Sequence, residues 1–72
     1  MTDELADRRL EILVRELENQ LRTDHGVKHG VDYVADVDLW RKAARIAGRR
    51  LGIPVRTGIS HDGTEVWASE GP

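Results

Sequence analysis

Ile53-Pro54-Val55-Arg56-Thr57-Gly58-Ile59-Ser60-His61-Asp62-Gly63-Thr64-Glu65-Val66-Trp67-Ala68 decides the architecture of this chain. Apolar and polar residues alternate on both sides of Asp62-Gly63, and an Asp-Gly dipeptide between two such runs is a strong short-range signal for a β-hairpin. A two-residue type I′ loop at Asp62-Gly63 sets His61 against Thr64, and the register then pairs Ile59 with Val66 and Thr57 with Ala68. Val55, Thr57, Ile59, Val66 and Ala68 share one face in that register. Arg56, Gly58, Ser60, Glu65 and Trp67 share the other, with Trp67 directly across from Gly58. The first face is expected to meet a core, and Trp67 to lie away from it near Arg56. Ser69 to Pro72 is expected to fray.

Working back from the hairpin, Gly52 and Pro54 end a helix that Asp36 or Asp38 caps, predicted over about residues 37–50. Leu39, Trp40, Ala43, Ile46, Ala47 and Leu51 form a broad apolar arc on it. Before it, Val31, Tyr33 and Ala35 alternate with polar residues and predict a short strand over about 31–35. The first segment, about 2–25, reads as a helix with Thr2 or Asp3 as N-cap and Gly26 as its left-handed stop. Ala6, Leu10, Leu13, Val14, Leu17 and Leu21 fall on its core side, and Glu4/Arg8, Glu11/Arg15 and Glu18/Arg22 are spaced for i,i+4 pairing. The expected architecture is therefore a single α+β domain over residues 1–72, with two helices packed on a small three-stranded sheet. Its order is α-β-α-β-β, with the hairpin at about 53–68 and a parallel crossover through the second helix.

Length and composition narrow the functional classes. Seventy-two residues support one small core, since a chain this short buries only about 60% of the surface it exposes when unfolded. There is no cysteine, which removes disulfides, thiolate catalysis and cysteine-bound zinc, and which fits a reducing, cytoplasmic setting. The acidic start Met1-Thr2-Asp3-Glu4-Leu5 is unlike a signal peptide. The longest aliphatic run, Ile12-Leu13-Val14, is far short of the roughly 20 apolar residues that span a bilayer, so no membrane association is expected.

Charge is distributed unevenly along the chain. Residues 1–38 carry ten acids against five bases, and residues 39–72 carry six bases against three acids, for a formal net charge of -2 overall. Asymmetry of this kind points to nucleic-acid contact or to one half pairing with the other. Arg41, Arg45 and Arg49 recur every four residues opposite the apolar arc of the second helix, with Lys42 beside them, and no acid occurs between Asp38 and Asp62. A row of guanidinium groups one turn apart suits a phosphate backbone, because each neutralised phosphate releases condensed counterions and each arginine offers a bidentate fork. Arg50 and Arg56 are candidates to widen that patch. The competing explanation is that these bases pair with the acids of the first helix.

Other residue clusters carry less chemistry. Leu5 and Ile12 project nearly opposite the leucine stripe, one heptad apart, where a partner molecule could cover them. Trp67 on an open sheet could stack on a base or anchor a protein, or could simply cover Gly58. His25 and His29 have metal-ligand spacing but are flanked by Gly26 and Gly30, so a metal site is not expected. Ser60-His61-Asp62 has the letters of a catalytic triad without its geometry, because neighbouring strand side chains alternate faces. A fold this small also offers little room for a pocket, so no enzymatic activity, cofactor or small-molecule substrate is expected.

The order helix-strand-helix-strand-strand is similar to the later part of small nucleic-acid-binding α/β modules such as the C-terminal domain of translation initiation factor three and the Alba chromatin proteins. The leading strand of those folds is missing here, and so is the third helix that a winged helix would need. The expected function is a small non-enzymatic nucleic-acid-binding or regulatory protein holding DNA or RNA phosphates through Arg41, Lys42, Arg45, Arg49 and Arg56. The alternative is a protein-interaction module or homodimeric adaptor that uses Leu5, Ile12 and Trp67.

Overall fold

The computed structural model describes Glu4 to Gly71, apart from the side chain of Ala6. The expected cap at Thr2 or Asp3, and Ala6 as a core residue, lie outside the described residues. Helix α1 (Glu4–Asp24) is followed by strand β1 (Gly26–Gly30), a 3-10 turn (Val31–Tyr33), helix α2 (Val37–Leu51), strand β2 (Val55–Ile59) and strand β3 (Glu65–Glu70). The strands form one antiparallel sheet in the order β1-β3-β2. β1 and β2 run parallel to each other across α2, with β3 inserted between them. Two helices on a three-stranded sheet in the order α-β-α-β-β is the architecture the sequence predicts.

Both helices lie on one face of the sheet. Val14, Leu17 and Leu21 of α1 meet Val27, Val66 and Ala68 of the sheet and Trp40, Ala43, Ala44 and Ala47 of α2 in the buried core. α2 carries small residues on its inner side, which lets it approach β2 closely. A Cβ at Gly48 would stand 2.5 Å from Val55 Cγ2 and 3.2 Å from the Ile53 carbonyl oxygen. Leu39, Ile46 and Leu51, placed by periodicity on the same arc, are only half-buried at its margins. Among the described residues, no helix is long and apolar enough to cross a membrane.

The ends of α2 follow its capping residues. Asp36 is the N-cap and its carboxylate accepts from the Leu39 amide at 3.0 Å, while Asp38 sits in the first turn. At the other end Gly52 adopts a left-handed conformation (φ 72°). The Gly52 amide donates to the Arg49 carbonyl and the Ile53 amide to the Gly48 carbonyl, the paired bonds of a Schellman stop.

The strand expected over 31–35 lies instead at Gly26–Gly30, and Val31–Tyr33 forms a 3-10 turn that leaves Tyr33 90% exposed. Val27 is buried, and His29, opposite Val66, takes the same side of the strand, where it lies against Trp40 with ring centroids 5.8 Å apart. The two-residue alternation thus begins four residues earlier, in a stretch whose glycines read as breakers but sit at an edge with an open outer side. Gly26 is consequently the first strand residue, and His25 provides the left-handed stop of α1 at φ 62°. Its Nδ1 is 2.9 Å from Glu70 Oε1, and the Glu70 amide donates to its carbonyl.

The hairpin has the expected register, Ile59 with Val66, Gly58 with Trp67 and Thr57 with Ala68. Its loop differs. Only Gly63 has a positive φ (76°), and the Gly63 amide donates to the Ser60 carbonyl, so the connection is a type I turn followed by a left-handed glycine. Asp62 organises it by accepting from the Ser60 and Thr64 hydroxyls and the Thr64 amide, and these bonds hold its carboxyl down to about 2. Ser69 and Glu70, expected to fray, continue β3.

Candidate functional site

Six bases follow Asp38, and the fold gives them three fates. Arg50 turns toward α1 and bridges the helices, with Nη2 2.9 Å from Glu11 Oε1 and Nη1 within 3.2 Å of Glu18. These bonds hold the Glu11 carboxyl down at about 2. Of the three i,i+4 pairs expected along α1, Glu11–Arg15 is the one seen among the described residues, at 3.2 Å. Glu18 is taken by Arg50.

Arg41 is committed differently. It is half-buried, Nη2 donates to the Thr57 carbonyl at 3.3 Å, and Nε is enclosed without a partner. Thr57 belongs to β2, the edge strand that pairs only with β3, so this guanidinium satisfies an edge carbonyl that would otherwise invite another strand.

Lys42, Arg45 and Arg49 have the third fate. They are exposed on the outer side of α2, and none has an ion-pair partner among the described residues. Asp38, in the first turn of α2, is the acid of that side. The ridge of cationic groups therefore survives folding, reduced from the expected five members to three. Arg56 is exposed and unpaired among the described residues too, but it alternates with Val55 and Thr57 and so projects from the opposite side of the sheet.

That opposite side is an open antiparallel face with Trp67 at its centre. The indole reaches over Gly58: Cζ2, Cε2 and Nε1 come within 2.8–3.3 Å of where a Cβ of residue 58 would stand. Trp67 is half-buried in this position. Lys28 of β1 is directly across from it on the other flank, and its Nζ is 3.8 Å from Glu65.

Leu5 and Ile12 are exposed by 62% and 54%, as their position on α1 implies. Next to them is a feature the sequence reading missed. A cleft of about 610 Å³ opens between α1 and the turn leading into α2, with Leu13, Leu17 and Trp40 as its floor and Arg9, Glu16, His29, Tyr33 and Asp36 among its walls. The expectation of too little room for a pocket is corrected here. The 3-10 turn that swings Tyr33 outward makes this space, and a strand over 31–35 would not have done so. The sequence carries no clear signal of it, since Tyr33 stands between Asp32 and Val34 within an alternating run.

Comparison with protein-family models, with curated proteins and with solved structures finds no match for this chain.

Proposed function

We propose that this is a small, non-enzymatic nucleic-acid-binding protein of the cytoplasm that holds phosphates on the Lys42, Arg45 and Arg49 ridge of α2. One observation carries the reading: these three cations are exposed and unpaired among the described residues, while Arg50, on the same helix, is satisfied twice over by Glu11 and Glu18. Three like charges with one acid, Asp38, on their side of the helix raise the local potential, and a polyanion relieves it by releasing its own counterions. Arg45 and Arg49 are one helical turn apart, about 6 Å along the axis, with Lys42 alongside. Two acids of the first helix, Glu11 and Glu18, are engaged by Arg50 and Arg15 and so are not free to neutralise the ridge.

The test is fluorescence anisotropy of a labelled oligonucleotide at low salt. Reversing Lys42, Arg45 and Arg49 to Glu abolishes binding and leaves the circular-dichroism spectrum unchanged. Binding untouched by the triple reversal, or no binding by the wild type, refutes the proposal. Arg41 is left out of the reversal because of its bond to β2.

A second reading, a protein-interaction module, is favoured by the cleft and the exposed aliphatics beside it. Leu5 and Ile12 lie next to Arg9 and Glu16 of the cleft rim on the helical wheel, so an apolar segment of a partner could cover both. Under this reading sedimentation of the wild type depends on concentration, or a partner is retained, and Leu5→Glu with Ile12→Glu removes the effect. A monomer indifferent to both substitutions counts against it.

A further inference from the structure

We infer that the open face of the sheet is a stacking platform for single-stranded nucleic acid, with Trp67 as the residue on which an unpaired base lies. The inference rests on the nucleic-acid reading above and adds to it a strand preference and a second contact surface. Three features point the same way.

The first is the attitude of the ring. Three indole atoms come within 3.3 Å of the vacant Cβ position of Gly58, so the ring leans across onto the neighbouring strand. The ring is only half-buried there, so part of it stays accessible. A base needs such a presentation, and stacking on it is indifferent to base identity because every base has a π-face.

The second is the surround. Lys28 and Gly58 flank Trp67 on the two neighbouring strands, and Gly30 and Gly26 stand on either side of Lys28 along this face of β1. Strands lie about 4.8 Å apart, so the level through Trp67 is roughly 10 Å wide and bears one aromatic ring, leaning over Gly58, beside a flexible cation. The Tyr33 ring borders the Gly30 end of this face, 3.3 Å from where a Cβ would stand, and Glu65 and Ser69 flank Trp67 along β3.

The third is charge. Lys28 is 64% exposed and only loosely held by Glu65, and Arg56 is exposed one ladder step from the Gly58–Trp67 pair. Either can meet the phosphates on the two sides of a stacked nucleotide. β2 lies beneath α2, so a strand leaving Trp67 past Arg56 rounds the β2 edge toward the ridge of Arg45 and Arg49. A duplex cannot use the platform, since its bases already stack on one another.

The experiment compares Trp67→Ala and Trp67→Phe with the wild type in binding a twelve-residue oligothymidylate and a blunt-ended twelve-base-pair duplex at low salt, while indole emission is followed. Losing one stacked base costs about 1–3 kcal/mol, so Trp67→Ala is expected to weaken oligothymidylate binding by about tenfold or more and to leave the duplex unaffected. Trp67→Phe, which keeps a ring, retains most of the affinity. Oligothymidylate quenches the wild-type emission but not the emission of the Ala variant, in which buried Trp40 alone remains. If Trp67→Ala binds oligothymidylate as the wild type does while the ridge reversal still abolishes binding, the platform is overturned and the phosphate-binding reading stands. If neither nucleic acid binds the wild type, both fall. A change in sedimentation on Trp67→Ala with no change in oligothymidylate binding assigns the face to a protein and also overturns the platform.

Discussion

The inner side of α2 and its outer side differ in how far their groups are committed to other parts of the fold. On the inner side Trp40, Ala43 and Ala47 are in the core, Gly48 lies against Val55, and at the margin Arg50 is divided between Glu11 and Glu18. On the outer side Lys42, Arg45 and Arg49 have no ion-pair partner among the described residues. The difference teaches that a run of arginines in sequence is not a patch. Helical phase divides it into structural and available charges, and a single step, from Arg49 to Arg50, crosses the boundary.

The comparison breaks most severely at Trp40. Truncation to Ala removes the largest buried side chain and is expected to cost about 3–5 kcal/mol. Stability of roughly 4–11 kcal/mol is usual for a chain of this size, so urea denaturation should show the variant partly or wholly unfolded. Gly48→Ala comes next. The added methyl meets Val55 and the Ile53 carbonyl, and overpacking of about 1–3 kcal/mol outweighs the gain of about 1 kcal/mol in helix propensity. A more stable Gly48→Ala variant would mean that α2 and β2 are farther apart. Asp36→Ala, which strips the N-cap bond to Leu39, should cost about 1 kcal/mol in the same assay.

Charge neutralisations sharpen the contrast further. Arg50→Gln should lower the thermal midpoint and Arg45→Gln should not, because only the first has bonds to lose. Acid gives the same answer by another route. The Glu11 carboxyl is held at about 2 in the folded protein against an ordinary 4.5. Its contribution is complete above the unfolded value and is lost as pH falls from about 4.5 toward 2. The wild type should therefore lose stability over that window more steeply than Arg50→Gln. Some acid sensitivity remains in the variant through Asp62, whose carboxyl is likewise held near 2.

Much of the fold was legible because it depends on periodicity. The leucine stripe of α1, the Asp36 cap, the Gly52 stop and the hairpin register each follow from local chemistry that no tertiary contact had to overrule. The displaced strand shows the limit. His29 reads as polar and Gly30 as a breaker, yet a histidine against Trp40 and a glycine on an open edge are both compatible with a strand once the neighbours are known. Side-chain reach was equally illegible. Periodicity put Arg41 on the ridge but could not reveal that its guanidinium would turn back to Thr57, nor that Arg50 would cross to α1 in place of the i,i+4 pair between Glu18 and Arg22. The cleft went unseen because it depends on a 3-10 turn that the alternation of Val31, Tyr33 and Ala35 conceals.

The salt dependence of oligonucleotide binding tests the central claim most directly, with the wild type compared to the variant carrying Lys42→Gln, Arg45→Gln and Arg49→Gln. Each phosphate contact on a single strand contributes about 0.7 to the slope of log affinity against log salt, so loss of three should make the slope shallower by about 2. Equal slopes for the two proteins would contradict the account, and so would the absence of binding by the wild type at low salt.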